Sequence, residues 1–302
     1  MGVRDNEEEI SSKIGYPSFL CLTGSRLFRC NAPTSDWDIV LVSVYPEILL
    51  SLSRERKLEL YSKEYIIERR MGGVKVEVKC CPIEKIFSSI ANFSPYALEI
   101  IIALANKIFV VIDADKKFLE ETCSKMPTEC LVLSLAYYAK SFVKRYLRAL
   151  DHHVKRAFEL LKILSVYFYL LEKRRIPPPD LYTIVENVDA LDFTVSPYVK
   201  TFKDAALEFI AKRRSGEIIP KQSIEIILRS VDFMEELMMR ALKNTTLKEL
   251  GKMCDSLKRE LLLKFEAEYR RILKNALAYP INEEENWREV LQGIISLVNM
   301  QN

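Results

Sequence analysis

The chain has 302 residues, 49% of them apolar and 29% charged, with a net charge of +3. That composition excludes a disordered or collagen-like chain, and the length suits two packed domains better than one. No apolar stretch reaches the ~18 uninterrupted residues of a membrane span, and Glu7, Glu8 and Glu9 leave no signal-peptide core. The expectation is a soluble, cytoplasmic protein with no membrane partner.

From the N-terminus, residues 18–23 (SFLCLT) form a short apolar run that stops at Gly24, as a buried strand does. Residues 36–44 (DWDIVLVSV) predict a second strand, closed by Tyr45-Pro46. Residues 49–62 have helical spacing. Residues 65–70 and 74–80 flank Gly72-Gly73 as the two arms of a hairpin. Pro82 opens a helix running to about 92, because proline suits the first helical turn. Ser94-Pro95 starts another helix, reaching 105. Residues 108–112 predict a further strand, and Asp113 is read as the cap of a helix containing Phe118 and Leu119.

Beyond Pro127 the pattern changes to long amphipathic helices, placed at roughly 128–150, 154–174, 196–214, 221–244, 246–276 and 284–299. Pro177-Pro178-Pro179 leads into an irregular stretch. Strands first and helices second predict an α+β fold: an α/β-type domain at 1–127, then an all-α domain at 128–302. Nothing in the sequence speaks to the oligomeric state.

Seven cysteines form an odd set without CxxC spacing. That argues against a disulfide framework and a structural zinc site, leaving reduced, mostly buried thiols as the expectation. The two histidines, His152 and His153, are neighbours and poorly suited to joint chelation.

The net charge conceals an asymmetry. Residues 1–130 hold 17 Lys/Arg against 19 Asp/Glu, while 131–302 hold 28 against 23. Within 131–177 ten basic residues face three acidic ones, an excess that points to a polyanionic partner. Lys140, Lys144 and Arg148 recur every four residues as one helical stripe. Lys155 and Lys162 line a second, with Glu159 between them. Such lysines can reach an NTP tail or a nucleic-acid backbone. They can equally form a solvated ion-pair ladder worth ~0.3–0.5 kcal/mol per pair. Tyr137, Tyr138, Phe142, Tyr146, Phe158, Tyr167, Phe168 and Tyr169 are core positions first and base-stacking candidates second.

The chemistry concentrates in Thr23-Gly24-Ser25-Arg26 followed by Ser35-Asp36-Trp37-Asp38. A Gly-Ser after a strand lets backbone N–H groups approach a phosphate, since glycine has no Cβ in the way. Aspartates at i and i+2 on a strand share one face, and two close carboxylates invite a divalent cation. Trp37, between them, must point the other way. A third carboxylate suits two-metal phosphoryl transfer, and Glu77 in Val74-Lys75-Val76-Glu77-Val78-Lys79 can supply it. The same Lys-Glu-Lys face is also what a solvated edge strand displays.

With its GS, spacer and DxD, the segment TGSRLFRCNAPTSDWDIV at 23–40 resembles the signature of the DNA-polymerase-β-like nucleotidyltransferase superfamily. More narrowly, VKVEVKCCPIEKIFSSIANFSPYALEII at 74–101 resembles the YcgL-type, RNA-repair-associated (RlaP-like) predicted nucleotidyltransferases. KRAFELLKIL at 155–164 and GEIIP at 216–220 resemble that group's helical half. The resemblance implies a five-stranded or similar mixed sheet holding two Mg²⁺ ions, with Mn²⁺ as a substitute, and an NTP. Gly24, Ser25 and Arg26 would meet the phosphates, together with Lys140, Lys144 and Lys155 from the basic stripes. Asp36 and Asp38 would bridge both metals; Glu77 would ligate the catalytic one and help activate the acceptor hydroxyl.

The expected reaction moves NMP to an acceptor hydroxyl, with an RNA 3′ end as acceptor and pyrophosphate released. A small molecule, a protein side chain, or a non-catalytic nucleotide-sensing or partner-binding module are the alternatives. One departure stands out: where the group's helix often reads Lys-x-x-x-His-x-x-Arg, this chain has Lys155, Glu159 and Lys162.

Overall fold

The computed structural model describes residues 15–32, 34–45, 65–71, 73–146, 153–195, 198–230, 247–278 and 283–300. Its strands are β1 Tyr16–Thr23, β2 Trp37–Val44, β3 Tyr65–Met71, β4 Val74–Pro82 and β5 Phe109–Val111. They form one sheet in the order β3-β4-β2-β1-β5. β2 and β4 are parallel and the other neighbours antiparallel, so the sheet is mixed. Gly73, at φ +84°, makes the turn between β3 and β4, a backbone conformation glycine adopts freely.

The described helices are α1 Gly24–Leu27, α2 Ile83–Ala91, α3 Leu98–Ala105, α4 Lys116–Ser124, α5 Thr128–Tyr146, α6 His153–Lys173, α7 Leu181–Glu186, α8 Phe202–Ser215, α9 Lys221–Arg229, α10 Leu247–Ala278 and α11 Glu283–Asn299. The fold is therefore α+β with a helical C-terminal region. The helix expected at 49–62 and the stretch 231–244 of the helix expected at 221–244 lie outside the described residues.

Three details differ from the sequence pattern, each for a local reason. Asp115 rather than Asp113 caps α4, its side chain accepting from the Phe118 N–H. Asp113 instead accepts from Asn275 Nδ2 at 3.0 Å and ties the loop after β5 to α10. Second, α8 starts at Phe202 instead of 196, because Thr201 and Asp204 form a reciprocal capping box there. Third, α7 interrupts the stretch expected to be irregular. Six residues are too few to display a period, but Asp180 accepts from the N–H groups of Tyr182 and Thr183 and starts it.

The main apolar core runs from Phe19 to Leu297, with a small second cluster of Val195, Ala205 and Ile226. Adjacent strand residues point to opposite faces, so the burial of both Cys80 and Cys81 means that both faces of the sheet are covered. α11 lies on the face that carries Leu20. A Cβ at Gly293 would stand 2.8 Å from Leu20 Cδ1, so a side chain there would have to push that methyl aside. α10 packs on α2 through Phe87 and Phe265, ring centroids 4.6 Å apart, and through the Tyr269 hydroxyl donating to Glu84 at 2.6 Å. The last two helices thus share the core of the sheet, and residue 127 falls between α4 and α5 within that continuous packing. Among the described residues no single helix is long and apolar enough to cross a membrane.

The cysteines correct the sequence expectation. Cys130 on α5 and Cys254 on α10 form a disulfide, their Cα atoms 5.6 Å apart. At a sequence separation of 124, no spacing rule reveals the pair; only the packing of α10 on α5 does. Cys21, Cys30, Cys80, Cys81 and Cys123 are free and buried, as expected of core thiols.

Closing so long a loop restricts the unfolded chain. Cys254→Ser should therefore cost ~2–4 kcal/mol and lower the melting temperature by several degrees. A reductant should produce the same shift in the wild type and none in the variant, read by thermal melts of both.

Candidate active site

Strand register assembles the site. Asp38 lies opposite Thr23 on β1 and beside Glu77 on β4, and Glu77 lies opposite Glu68 on β3. Cross-strand partners share a face, so one row across the sheet carries three carboxylates. A cleft of about 240 Å³ opens over this row, lined by Thr23, Gly24, Asp38, Ile39, Val40, Glu77, Lys79, Glu99, Glu159 and Lys162. The carboxylate spacing read from the sequence thus places Asp38 and Glu77 together, on adjacent parallel strands.

Gly24 ends β1 with φ +70°, and a Cβ there would lie 2.0 Å from Asp38 Oδ2. Backbone conformation and space both demand glycine. The Thr23 hydroxyl donates to the Asp38 carbonyl at 3.1 Å, which fixes the strand end next to the turn. Ser25 is buried, and its carbonyl accepts the Cys30 N–H at 3.0 Å, closing the turn on itself.

Arg26 braces the backbone of the motif. Its Nε donates to the Asp36 carbonyl at 3.1 Å and its Nη2 to the Ser35 carbonyl at 2.6 Å. The guanidinium also lies over the Trp37 ring at 4.2 Å. Arg26 therefore clasps the backbone that delivers the two aspartates. Trp37 is buried, on the face away from them, as strand alternation requires.

Neither the Asp36 nor the Asp38 carboxylate has a hydrogen bond or ion pair with a described residue. Burial pushes the Asp38 carboxyl up to about 6, reinforced by the charges of Glu77, Glu99 and Asp36 and opposed by Lys162. Glu77 takes a 3.4 Å contact from Lys75, which is held more closely by Glu68 at 2.6 Å. All three candidate ligands offer hard carboxylate oxygens, the donor type that Mg²⁺ and Mn²⁺ prefer. Among the described residues no three Asp, Glu, His or Cys groups already converge closely enough to hold a metal ion. Asp36 precedes β2 and stands outside the lining of the cleft.

The helical half enters the cleft through residues that the motif reading did not place in the site. Lys162, its side chain 6% exposed, donates to Glu99 Oε1 at 2.5 Å and lies 3.0 Å from Glu159 Oε2. Glu99 Oε2 accepts the Gly24 N–H at 2.7 Å. Burial works against the Lys162 charge, but Glu99 and Glu159 outweigh it and hold the ammonium above the ordinary lysine value. Burial likewise opposes the Glu99 charge, and Lys162 with the Gly24 N–H turns the balance, keeping that carboxyl below its usual range. A signal existed: Glu99 is the one charge in LEIIIALA, and Lys162 the one cation amid LLKILSVYFYLL. A lone charge in so apolar a helix needs a buried partner.

Lys155 is exposed on the first turns of α6 and does not line the cleft. The side chains of Lys140 and Lys144 lie outside those described. Several of the basic residues in 131–177 have internal partners, among them Lys162 as above, Lys173 with Glu172, Arg174 with Glu129, and Arg175 with the Tyr169 hydroxyl. Among the aromatics, Phe158, Tyr167, Phe168 and Tyr169 are core, whereas Tyr137 and Tyr138 are exposed.

No family model matches the chain, and no curated protein does. One solved structure, a nucleotidyltransferase-like protein from Exiguobacterium sibiricum 255-15, aligns over 91% of this chain and 90% of its own at 11% identity, with a TM-score of 0.33. A likeness that slight carries no inference about function.

Removing one partner of a buried pair strands the other charge. Lys162→Met should cost ~3–5 kcal/mol in denaturant unfolding. Lys155→Ala, a change on the exposed face, should stay within about 0.5 kcal/mol of the wild type.

Proposed function

We propose that the chain is a nucleotidyltransferase, moving NMP from an NTP to an acceptor hydroxyl with release of pyrophosphate. The observation that supports this most is that the Asp38 carboxylate, beside a glycine turn and next to Glu77, makes no hydrogen bond or ion pair with a described residue, nor does that of Asp36 two residues before it. An unneutralised and partly desolvated carboxylate is costly, and a core has no use for one. The charge of the cleft agrees. Asp38, Glu77, Glu99 and Glu159 line it against Lys79 and Lys162, so a bare polyphosphate would be repelled and a cation-chelated one admitted. The sequence resemblance at 23–40 points the same way.

In this reading Asp36, Asp38 and Glu77 would hold the divalent ions, Mg²⁺ or Mn²⁺. Such ions, when bound, offset charge on the transferred phosphoryl group and on the attacking and leaving oxygens. The chain's own residues orient and exclude. The Gly24-Ser25 turn faces the phosphates, Arg26 keeps the segment bearing Asp36 against β1, and Glu77 lies beside Asp38 to receive the acceptor hydroxyl. For the acceptor we propose an RNA 3′ end, on the strength of the basic excess in 131–177. The internal pairing of Lys162, Lys173, Arg174 and Arg175 favours a small-molecule acceptor as the second reading.

The test is incubation with each α-labelled NTP, Mg²⁺ or Mn²⁺ and small RNA, with Asp36→Ala/Asp38→Ala as control. Label should enter RNA only with the intact aspartates, and apparent RNA affinity should fall steeply with salt. A flat salt response with transfer to a small molecule would select the second reading. No transfer and no nucleotide binding would overturn the proposal.

Asp38 also sets a pH dependence. A carboxyl whose folded value is raised to about 6 favours the folded state below the ordinary aspartate value and loses that contribution as pH rises through 6. The ion-free protein should therefore lose this increment between pH 4 and 7. Stabilisation by Mn²⁺·NTP should instead grow across about pH 5 to 7, as binding no longer has to displace the proton. Asp38→Asn should flatten both trends in thermal-shift measurements.

A further inference from the structure

We infer that Glu99 is a positioning residue for the nucleotide site, coupling helix α6 to Asp38 through the backbone of Gly24; the inference rests on the nucleotidyltransferase reading. Four groups form a continuous chain of contacts. Lys162 Nζ donates to Glu99 Oε1 at 2.5 Å, and Glu99 Oε2 accepts the Gly24 N–H at 2.7 Å. The Gly24 Cα is in turn so close to Asp38 that no side chain fits between them. Lys162 comes from the helical half and Asp38 from the sheet, and Glu99, on α3, spans the two.

The geometry assigns Glu99 more than a packing role. Its carboxylate uses both oxygens on different partners, and one of them is a backbone N–H of the turn thought to receive phosphate. With that N–H occupied, Glu99 does not leave Gly24 free for a ligand. It fixes the orientation of the turn, so that the next residue, Ser25, presents its hydroxyl, which makes no hydrogen bond with a described residue. Glu99 also takes up one charge of Lys162, which Glu159 shares at 3.0 Å. Loss of Glu99 would therefore release the turn and leave Lys162 to Glu159 alone, moving two walls of the cleft at once. Glu99 touches neither substrate nor reacting atoms in this scheme and acts through Gly24 and Lys162.

The experiment compares Glu99→Ala, Glu99→Gln and Leu104→Ala for binding of Mn²⁺ complexes of the four NTPs, well below the melting temperature of each protein. Leu104 is fully buried on the same helix and makes none of the hydrogen bonds of this chain of contacts, so its variant reports lost packing. Glu99→Ala should weaken binding about tenfold or more, the usual scale for a residue that orients a ligand group. Glu99→Gln should recover part of that loss, because its amide oxygen still accepts from the Gly24 N–H. Leu104→Ala should melt lower yet bind as the wild type does.

Glu99 variants that bind like the wild type and differ only in melting temperature would overturn the inference and leave the nucleotidyltransferase reading standing. Equal losses in Leu104→Ala and Glu99→Ala would overturn it too. A wild type that binds no Mn²⁺·NTP would remove the nucleotidyltransferase reading and the inference with it.

Discussion

The close approach of the Gly24 backbone to the Asp38 side chain governs the site. It requires a positive φ at the end of β1, an absent Cβ, and a second strand whose first turn-facing carboxylate sits directly opposite Thr23. Arg26 serves the same end from the other side, holding the carbonyls of Ser35 and Asp36 while resting on Trp37. Three short-range devices thus bring a turn and a DxD segment together within twenty residues of chain.

That arrangement would be a local feature without the Lys162–Glu99 pair. A buried ammonium between two carboxylates is costly to assemble and more costly to break, because either partner left alone is a desolvated charge. The helical half is consequently held against the GS turn by an interaction that tolerates no slippage. The two ends of the chain meet elsewhere too. α11 lies on the Leu20 face of the sheet through Gly293, and α10 is fastened by the Cys130–Cys254 disulfide and the Tyr269–Glu84 hydrogen bond. The sheet is covered on both faces by segments far apart in sequence, which leaves the open end of the Asp38 row as the accessible part of the site.

Much of this was legible before any coordinates. All five strands follow from short apolar runs and the glycine and proline signals that bound them, two of them as the hairpin, and β1, β2 and β4 carry the residues that matter. The Asp38–Glu77 adjacency was foreseeable in kind, since each sits on a strand in the right phase. It was not foreseeable in register, because nothing local says that β2 and β4 run parallel and side by side. Arg26 illustrates the opposite case. Its place in the motif suggested a phosphate ligand, and the structure adds a backbone clasp that the motif does not announce.

The amino-acid sequence by itself determined the strands, the glycine turn and the strand phase of Asp38 and Glu77, because hydrophobic pattern, backbone freedom and charge are properties of short segments. The tertiary structure alone decided three things: that Glu99 and Lys162 meet beneath Gly24, that Lys155 stays outside the cleft, and that Cys130 and Cys254 join. Each depends on the mutual orientation of helices 63 to 124 residues apart. That orientation is set by the packing of a shared core, and no pattern within a single helix records it.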